Sequence, residues 1–445
     1  MIVRSTAWLV VTGLGAALLL VIGFLVPGNS LVAIAMAGLV LLVGLTARQP
    51  ATLPILAMPA SVIIQRVGGG GVDLSVSDFA LFGAFWAAVF LAPRPFSRPM
   101  RSMLWISAIY QVATLFTVIA NPFLANTVEW FHAWLLVGGS LVVGWAVGRG
   151  GRARLGLTLF LLPCIAIAVM TLSTAVQQFG TGYAGVYLFN MHKNFIGTVL
   201  AFAALVAYVN PHWLDWPRRL AQATFLLLAL GVVASEARQA LIGLAAAIVV
   251  VILRPDPERR RSKVVLFAII PAIFYVGGAA HEQLTEDNPF NSAFQRLAWY
   301  DDAIEVWRRS PWVGMGLRYW TAGRTEFGFQ PPNAELEMLA SAGVIGLAGF
   351  LVLFGASLVV LWRVDPRFGT LAFTMVLMRF VQGQFDLFWV SVQASVPFLI
   401  VGVCLGAHAY AHAQQGGDVE DGPPLPLDVR PATDVGPAVS KAATP

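Results

Sequence analysis

Charge is scarce in this chain of 445 residues: 28 Lys and Arg with 23 Asp and Glu make up 11% of it. A soluble domain carries about 25% charged residues, and 58% of this chain is apolar, which excludes a soluble globular enzyme. Cysteine is equally sparse. Cys164 and Cys404 both fall inside apolar runs, so neither a disulfide framework nor a thiolate metal site is available. Alternation of apolar and polar residues between turns, which a membrane barrel needs, is also missing. The apolar runs are continuous instead, as in FLLLALGVVA.

Those runs recur at lengths of about 20 residues, each able to cross a hydrocarbon core of ~30 Å as a helix whose backbone bonds within itself. They predict an all-α fold, a polytopic transmembrane helical bundle of about 12–14 spans with one long extracytoplasmic loop. The spans are placed at 7–26, 31–47, 51–65, 76–92, 102–120, 128–148, 155–178, 194–210, 220–234, 238–254, 263–280, 336–362, 368–385 and 391–411. The first follows Arg4, is longer than a signal-peptide core and lacks a small-residue cleavage site, so it is expected to be retained. Residues 1–280 thus form a bundle of about 11 spans, 281–335 the loop, 336–412 the last spans, and 413–445 a tail. The tail is rich in Pro, Gly and Asp, has no aromatic residue, and is expected to be disordered and cytoplasmic.

Orientation follows from Lys and Arg, which cytoplasmic loops retain. With the N-terminus inside, 19 of the 28 fall in inner loops and tails, eight lie outside, and one, Arg379, sits within a span. Topology therefore accounts for the net charge of +5, which lends nothing to a nucleic-acid partner. Both termini are expected in the cytoplasm.

The loop at 281–335 is where function is expected, because loops on a rigid scaffold carry it. Ser292 and Gln295 have capping-box spacing. Leu297, Tyr300, Ile304 and Trp307 then follow at helical spacing and predict an amphipathic helix on the membrane surface. Pro311, Gly314 and Gly316 end it in a turn.

Charged groups at or within the membrane mark function by default. Arg238, in the outer turn SEARQALIG, is either an interfacial anchor paired with Glu236 or an anion site, since a guanidinium grips phosphate oxygens through parallel hydrogen bonds. Lys193 opens a span beside His192 and Asn194, where free helix N–H groups also favour an anion. Arg66, Arg296, Arg308, Arg309, Arg318 and Arg324 are the other outer cations. Arg379, with Gln382, Gln384 and Asp386 along MRFVQGQFD, reads equally as a polar network between helices or as a substrate contact. His132 follows Glu129 by three residues, a spacing for a local hydrogen bond. No histidine–carboxylate pattern at metal spacing occurs outside, so no metal and no cofactor are expected.

The loop runs into the next span through PPNAELEMLASAGVIGLAG, with Asn333, Gly343 and Gly346. Upstream lie Arg296 with Trp299, the turn of Pro311, Gly314 and Gly316, Ser235 with Arg238, and the helix start His192-Lys193-Asn194. Over residues 190–355 this order of motifs resembles the O-antigen ligase and polymerase family. The resemblance implies an inverting glycosyltransferase of the bacterial inner membrane, working without a metal on the outer face in lipopolysaccharide or exopolysaccharide assembly. Its donor would be a polyprenyl-diphosphate-linked glycan, its acceptor the hydroxyl of a glycan or glycolipid, and membrane lipid its surroundings. Family arginines that hold the donor diphosphate correspond to Arg238 and Arg296. Lys193, Asn194, Asn333, Arg318 and Arg379 complete the substrate-binding set on the same face. The histidine that precedes the Asn in the family is Pro332 here, which cannot take up a proton. Glu335, His192 or Asp301 then stands as the base, with Glu335 preferred as nearest in sequence.

Two other readings stay open. Arg379 and Asp386 within a span suit a transporter or lipid-linked glycan flippase, though no internal repeat accompanies them. Pro332 also suits a family member that has lost catalysis and binds assembly partners.

Overall fold

Apolar helices in lipid gain nothing from hiding apolar surface, so their association rests on close backbone approach and on hydrogen bonds between them. The computed structural model describes residues 41–42, 44–46, 48–49, 51–67, 74–91, 94–179, 186–189, 191–255, 277–278, 292–387 and 391–415. The expected span at 7–26, nearly all of those at 31–47 and 263–280, and the tail beyond residue 415 lie outside the described residues.

The helices are α1 (Thr52–Ala60), α2 (Val76–Leu91), α3 (Arg98–Ala120), α4 (Leu124–Arg149), α5 (Ala153–Gln177) and α6 (Lys193–Val209). After them come α7 (Arg218–Ala234), α8 (Arg238–Leu253), α9 (Ser292–Arg309), α10 (Ala334–Arg363), α11 (Pro366–Gly383) and α12 (Ser391–Gln414). The fold is an all-α polytopic bundle, and among the described residues five helices are long and apolar enough to cross a membrane. From α2 to α8 and from α10 to α12 the expected spans hold to within a few residues. The expected span at 51–65 does not: α1 stops at Ala60 after nine residues, too short to cross, and the chain turns into an antiparallel ribbon pairing Arg66–Val67 with Leu74–Ser75. Pro54 and Pro59 lie in that stretch, and a proline inside a helix removes a hydrogen bond and clashes with the preceding turn.

Two helices form the centre. The apolar stretch of α12 is wholly buried and that of α4 is 89% buried, against 39–44% for α3, α5 and α10. The outer helices turn Phe90, Trp105, Phe116, Leu162 and Val176 outward, as lipid-facing surfaces do. Along the α4–α12 seam, Gly144 and Gly148 face Gly402 and Gly406. A Cβ on Gly144 would lie 2.8 Å from the Val403 nitrogen, one on Gly402 2.8 Å from the Trp145 nitrogen, and one on Gly406 2.6 Å from the Trp145 carbonyl oxygen. Each helix thus carries a G-x-x-x-G pair that admits the other's backbone. Just before the seam α4 widens into one π-helical turn over Leu135–Gly139. It is bound to α3 by a reciprocal pair: Gln111 Nε2 donates to the Trp130 carbonyl at 2.6 Å and Trp130 Nε1 to the Gln111 carbonyl at 2.9 Å.

The long helix α10 is broken. Gly343 has φ 66° and ψ −168°, a region open essentially to glycine alone. Pro311–Gly316 lies along the break like a short strand. Val344 N donates to the Pro311 carbonyl (2.9 Å) and Ile345 N to that of Trp312 (3.2 Å), while Met315 N reaches the Ala340 carbonyl (3.1 Å) and Gly316 N that of Ser341 (2.8 Å). Gly314 and Gly316 take φ of +68° and +116° to make this approach. The same turn is held from α3 and α4, since Asn121 Nδ2 donates to the Gly314 carbonyl at 3.1 Å and Leu317 N donates to Asn126 Oδ1 at 2.8 Å.

Helix α9 forms as expected, but with a different buried face. Ala303 and Val306 pack with Tyr319, Trp320 and Ala340, whereas Leu297 is 53% exposed. Of the expected stripe only Leu297 is exposed, while Tyr300, Ile304 and Trp307 are half-buried; Trp299 lies on the side of Ala303 and Val306.

Substitutions separate these glycines by role. Gly402→Ala should cost roughly 1–3 kcal/mol through overpacking of the seam. Gly355→Ala, an exposed α10 position with open space at its Cβ, should gain about 0.5–1 kcal/mol from helix propensity. Thermal unfolding midpoints of the detergent-purified variants, moving in opposite directions, check both.

Candidate functional site

Three helices begin at the same place. His192 caps α6, its Nδ1 accepting from Asn194 N at 3.2 Å. Asn333 caps α10, its Oδ1 accepting from Leu336 N at 3.0 Å. Helix α8 opens at Arg238 straight after the Ser235–Ala237 turn, in which Glu236 takes φ +58° and Ser235 Oγ closes on the Val232 carbonyl at 2.7 Å. That turn rests on α6 at Gly197, where a Cβ would lie 2.7 Å from Ser235 Oγ.

The turn after α11, residues 384–387, collects all three starts. Asn194 Nδ2 donates to Asp386 Oδ1 and Gln239 Nε2 to Asp386 Oδ2, each at 3.3 Å, so the carboxylate joins α6 to α8. Asn333 Nδ2 donates to the Gln384 carbonyl at 3.3 Å, and Gln384 Nε2 returns to Glu335 Oε1 at 2.6 Å. Arg296 Nη1, from α9, donates to the Phe385 carbonyl at 3.1 Å. Arg379, fully buried in α11, donates from Nη2 to the Leu387 carbonyl at 2.9 Å. Burial pushes the Asp386 carboxyl above the ordinary carboxylate range, against the pull of Arg379.

Sequence reasoning therefore picked residues that meet: His192, Lys193, Asn194, Arg238, Arg296, Asn333, Glu335 and Arg379 all lie on elements that converge on this turn. Lys193 stands 4.0 Å from Glu236, and Arg238, half-buried, has no side-chain hydrogen bond or ion pair among the described residues. Two residues were undervalued. Gln239 follows Arg238 directly and was passed over, and Asp386 was read as one member of a polar run and, with Arg379, as a feature that suits a transporter; together they are the tie between helix starts.

His192 and Arg318 are committed elsewhere. The Nδ1 lone pair of His192 is taken by the cap, which puts the ring proton on Nε2 and leaves no free lone pair on the imidazole. Partial desolvation holds its pKa below the ordinary value, helped by Lys193 and opposed by Asp386. Arg318 reaches back to α4, its Nε donating to Glu129 Oε2 at 2.7 Å. Glu129 also meets His132 Nδ1 at 3.4 Å, the local pairing expected from sequence, and His132 Nε2 lies 3.1 Å from Asp78 Oδ1 of α2. Both imidazole nitrogens face carboxylate oxygens, a geometry that requires a proton on each. Two carboxylates, one imidazolium and one guanidinium thus balance in a buried row that pins the loop to α2 and α4.

Three converging N-termini, each worth about half a positive charge, with Lys193 and Arg238 beside them, can hold an anion in a partly dry setting. Residues 223–351, from within α7 to the middle of α10, match the model of the O-antigen ligase family. By that match this part of the chain is similar to the O-antigen ligase family. No curated protein matches it. The similarity points, at a coarse level, to a multi-pass membrane enzyme of ligase or polymerase type, a family whose substrates are in general a lipid-linked glycan and a glycan acceptor. The matched segment includes Arg238, Arg296, Asn333 and Glu335, while His192, Lys193, Arg379 and Asp386 fall outside it. The family turn Pro311-x-x-Gly-x-Gly has a structural role here, as the stitch across the break in α10. A cavity of about 260 Å³ opens at the opposite end of the same helices, lined by Arg154, His212, Trp213, Phe368 and Tyr410 among others. It shares no residue with the converging helix starts.

Removing the imidazolium leaves two buried carboxylates opposed. His132→Leu should cost about 3–5 kcal/mol, read as a fall in the unfolding midpoint of the purified protein. An unchanged midpoint would show that the row of charges does not hold the loop.

Proposed function

We propose that the site transfers a glycan from a polyprenyl-diphosphate donor to the hydroxyl of another glycan or glycolipid, on the outer face of the bacterial inner membrane. The observation that carries this reading is the meeting of three helix N-termini with Lys193, Arg238 and Arg296 around one turn. Such a cluster suits a diphosphate, which is dianionic or more and presents oxygens to N–H donors on several sides.

The acceptor oxygen attacks the anomeric carbon from the face opposite the diphosphate. The new C–O bond forms as the anomeric C–O bond to phosphate breaks, with inversion, and the lipid diphosphate leaves with the electron pair. Arg238 and Lys193 hold the charge that develops there, and fixed cations in a dry site act without reorganising. The acceptor proton goes to Glu335. Its Oε1 is held by Gln384 while Oε2 has no hydrogen-bond partner among the described residues, so one oxygen is oriented and the other free. Glu335 thereby takes the place of the family histidine that Pro332 replaces. His192, with its lone pair in the helix cap, orients Asn194 and Lys193. Asp386 and Arg379 keep the helix starts in register, and Asn333 fixes the first turn that carries Glu335.

All of these groups belong to one end of the bundle, which supports a transferase over a transporter, since a transporter needs its polar cluster near mid-membrane and open to both sides. Long polymer in the surface polysaccharide profile of a deletion strain should return with the wild-type gene. Arg238→Ala should fall roughly 100-fold or more in product, and Arg238→Lys should recover part of it by restoring charge without the paired hydrogen bonds. Glu335→Gln should lose about 10²–10⁴-fold in rate while inserting normally. Wild-type polymer from Arg238→Ala would end the diphosphate assignment, and wild-type polymer from Glu335→Gln would end the assignment of the base. Accumulated single lipid-linked units in the deletion strain would favour a polymerase over a ligase.

A further inference from the structure

Two segments leave the 384–387 turn together. Helix α9 is tied to it by Arg296 at the Phe385 carbonyl, and the chain before α10 by Asn333 at the Gln384 carbonyl. One helical turn beyond Arg296 stands Trp299, and four residues before Asn333 stands Phe329. Their rings meet with centroids 5.2 Å apart at 43°. Phe329 is 63% exposed and Trp299 partly so. Neither ring is in the small core of the loop, which is made by Ala303, Val306, Tyr319, Trp320 and Ala340.

We propose that Trp299 and Phe329 form a platform for a pyranose ring of the glycan handled at this site, an inference that rests on the transferase reading above. The face of an aromatic ring carries partial negative charge, and one face of a pyranose presents a patch of C–H bonds of opposite polarity. A pair of rings inclined at 43° makes a shallow corner rather than a flat wall. Residues whose side chains hydrogen-bond hydroxyls stand nearby in the chain: Gln295 and Asp302 within one helical turn of Trp299, and Gln330 next to Phe329.

A membrane anchor is the other use of exposed aromatics. Here the lipid-type stripe of α9, Leu297, Tyr300, Ile304 and Trp307, is on a different side of the helix, while Trp299 shares the protein-facing side with Ala303 and Val306. The tether through Arg296 and Asn333 also fixes the platform relative to the helix starts, so that a sugar on it and a diphosphate at Arg238 belong to one bound chain or to two chains meeting.

The test uses the full-length protein in nanodiscs and, as probe, oligosaccharide released by mild acid from the host's own surface polysaccharide, with binding followed by saturation-transfer NMR. Trp299→Ala with Phe329→Ala should weaken binding roughly tenfold or more, and Trp299→Phe should keep most of it. The unfolding midpoint, unchanged in these variants, separates loss of a ring face from loss of fold. Arg238→Ala should bind the probe like the wild type, because the probe carries no diphosphate. Wild-type affinity in the doubly substituted protein overturns the platform while leaving the diphosphate site standing. Absence of probe binding by the wild type overturns it as well. Loss of probe binding in the double variant together with normal polymer from Arg238→Ala keeps the platform and removes the donor assignment.

Discussion

The break in α10 at Gly343 is the constraint on which the loop end of the molecule depends. A helix interrupted inside a bundle exposes backbone donors and acceptors to a medium with no water to bind them, at several kcal/mol for each left unsatisfied. Here the missing partners come from Pro311–Gly316, and the exchange runs both ways: α10 nitrogens reach loop carbonyls and loop nitrogens reach α10 carbonyls. Only glycine at 314 and 343 lets the two backbones come that near. Thr117 Oγ1 of α3 adds a bond to the Ser341 carbonyl at 3.0 Å, so the break is joined from a third side. The loop, the first turns of α10 and the ends of α3 and α4 become one body, and that body carries Glu335.

Charge at this end is arranged in two different ways. In the row from Asp78 through His132 and Glu129 to Arg318, ions neutralise one another in pairs and leave little field outside. Around the 384–387 turn, the helix starts, Lys193 and Arg238 stand beside Asp386, Glu335 and Glu236, with Asp386 and Glu335 bonding to neutral amides rather than to cations. The first pattern is that of a fastener, and the second is the one the proposed anion site requires. Arg318 resembles the other outer cations in sequence, and its partner decides which of the two it serves.

How much of this was legible beforehand follows from the range of the interactions. Span positions depend on local apolar length, so α2 to α8 and α10 to α12 were readable to within a few residues, whereas the span expected at 51–65 ends at Ala60. Gly144, Gly148, Gly402 and Gly406 stand in plain view as spaced pairs, but which pair meets which is a tertiary fact. The same holds for Pro311, Gly314 and Gly316, readable as a turn without Gly343 as its counterpart. At the site, residue types suited to anions drew attention to Arg238, Lys193 and Arg296, whereas Gln239 and Asp386 act through contacts 147 residues apart in the chain. The expected stripe on α9 was present, yet its most buried positions, Ala303 and Val306, lie beside that stripe, packed in one cluster with Ala340.

The glycine seam between α4 and α12 has a consequence for traffic. Two helices whose backbones touch at four glycines leave no slit between them, and a polyprenyl tail needs the width of a hydrocarbon chain to slide in sideways from the bilayer. Because α4 and α12 lie at the centre of the described bundle, the seam is a solid axis and offers no such entrance. A hydrocarbon chain lying against the described helices meets the outer ones instead, where Phe90, Trp105, Phe116, Leu162 and Val176 face outward.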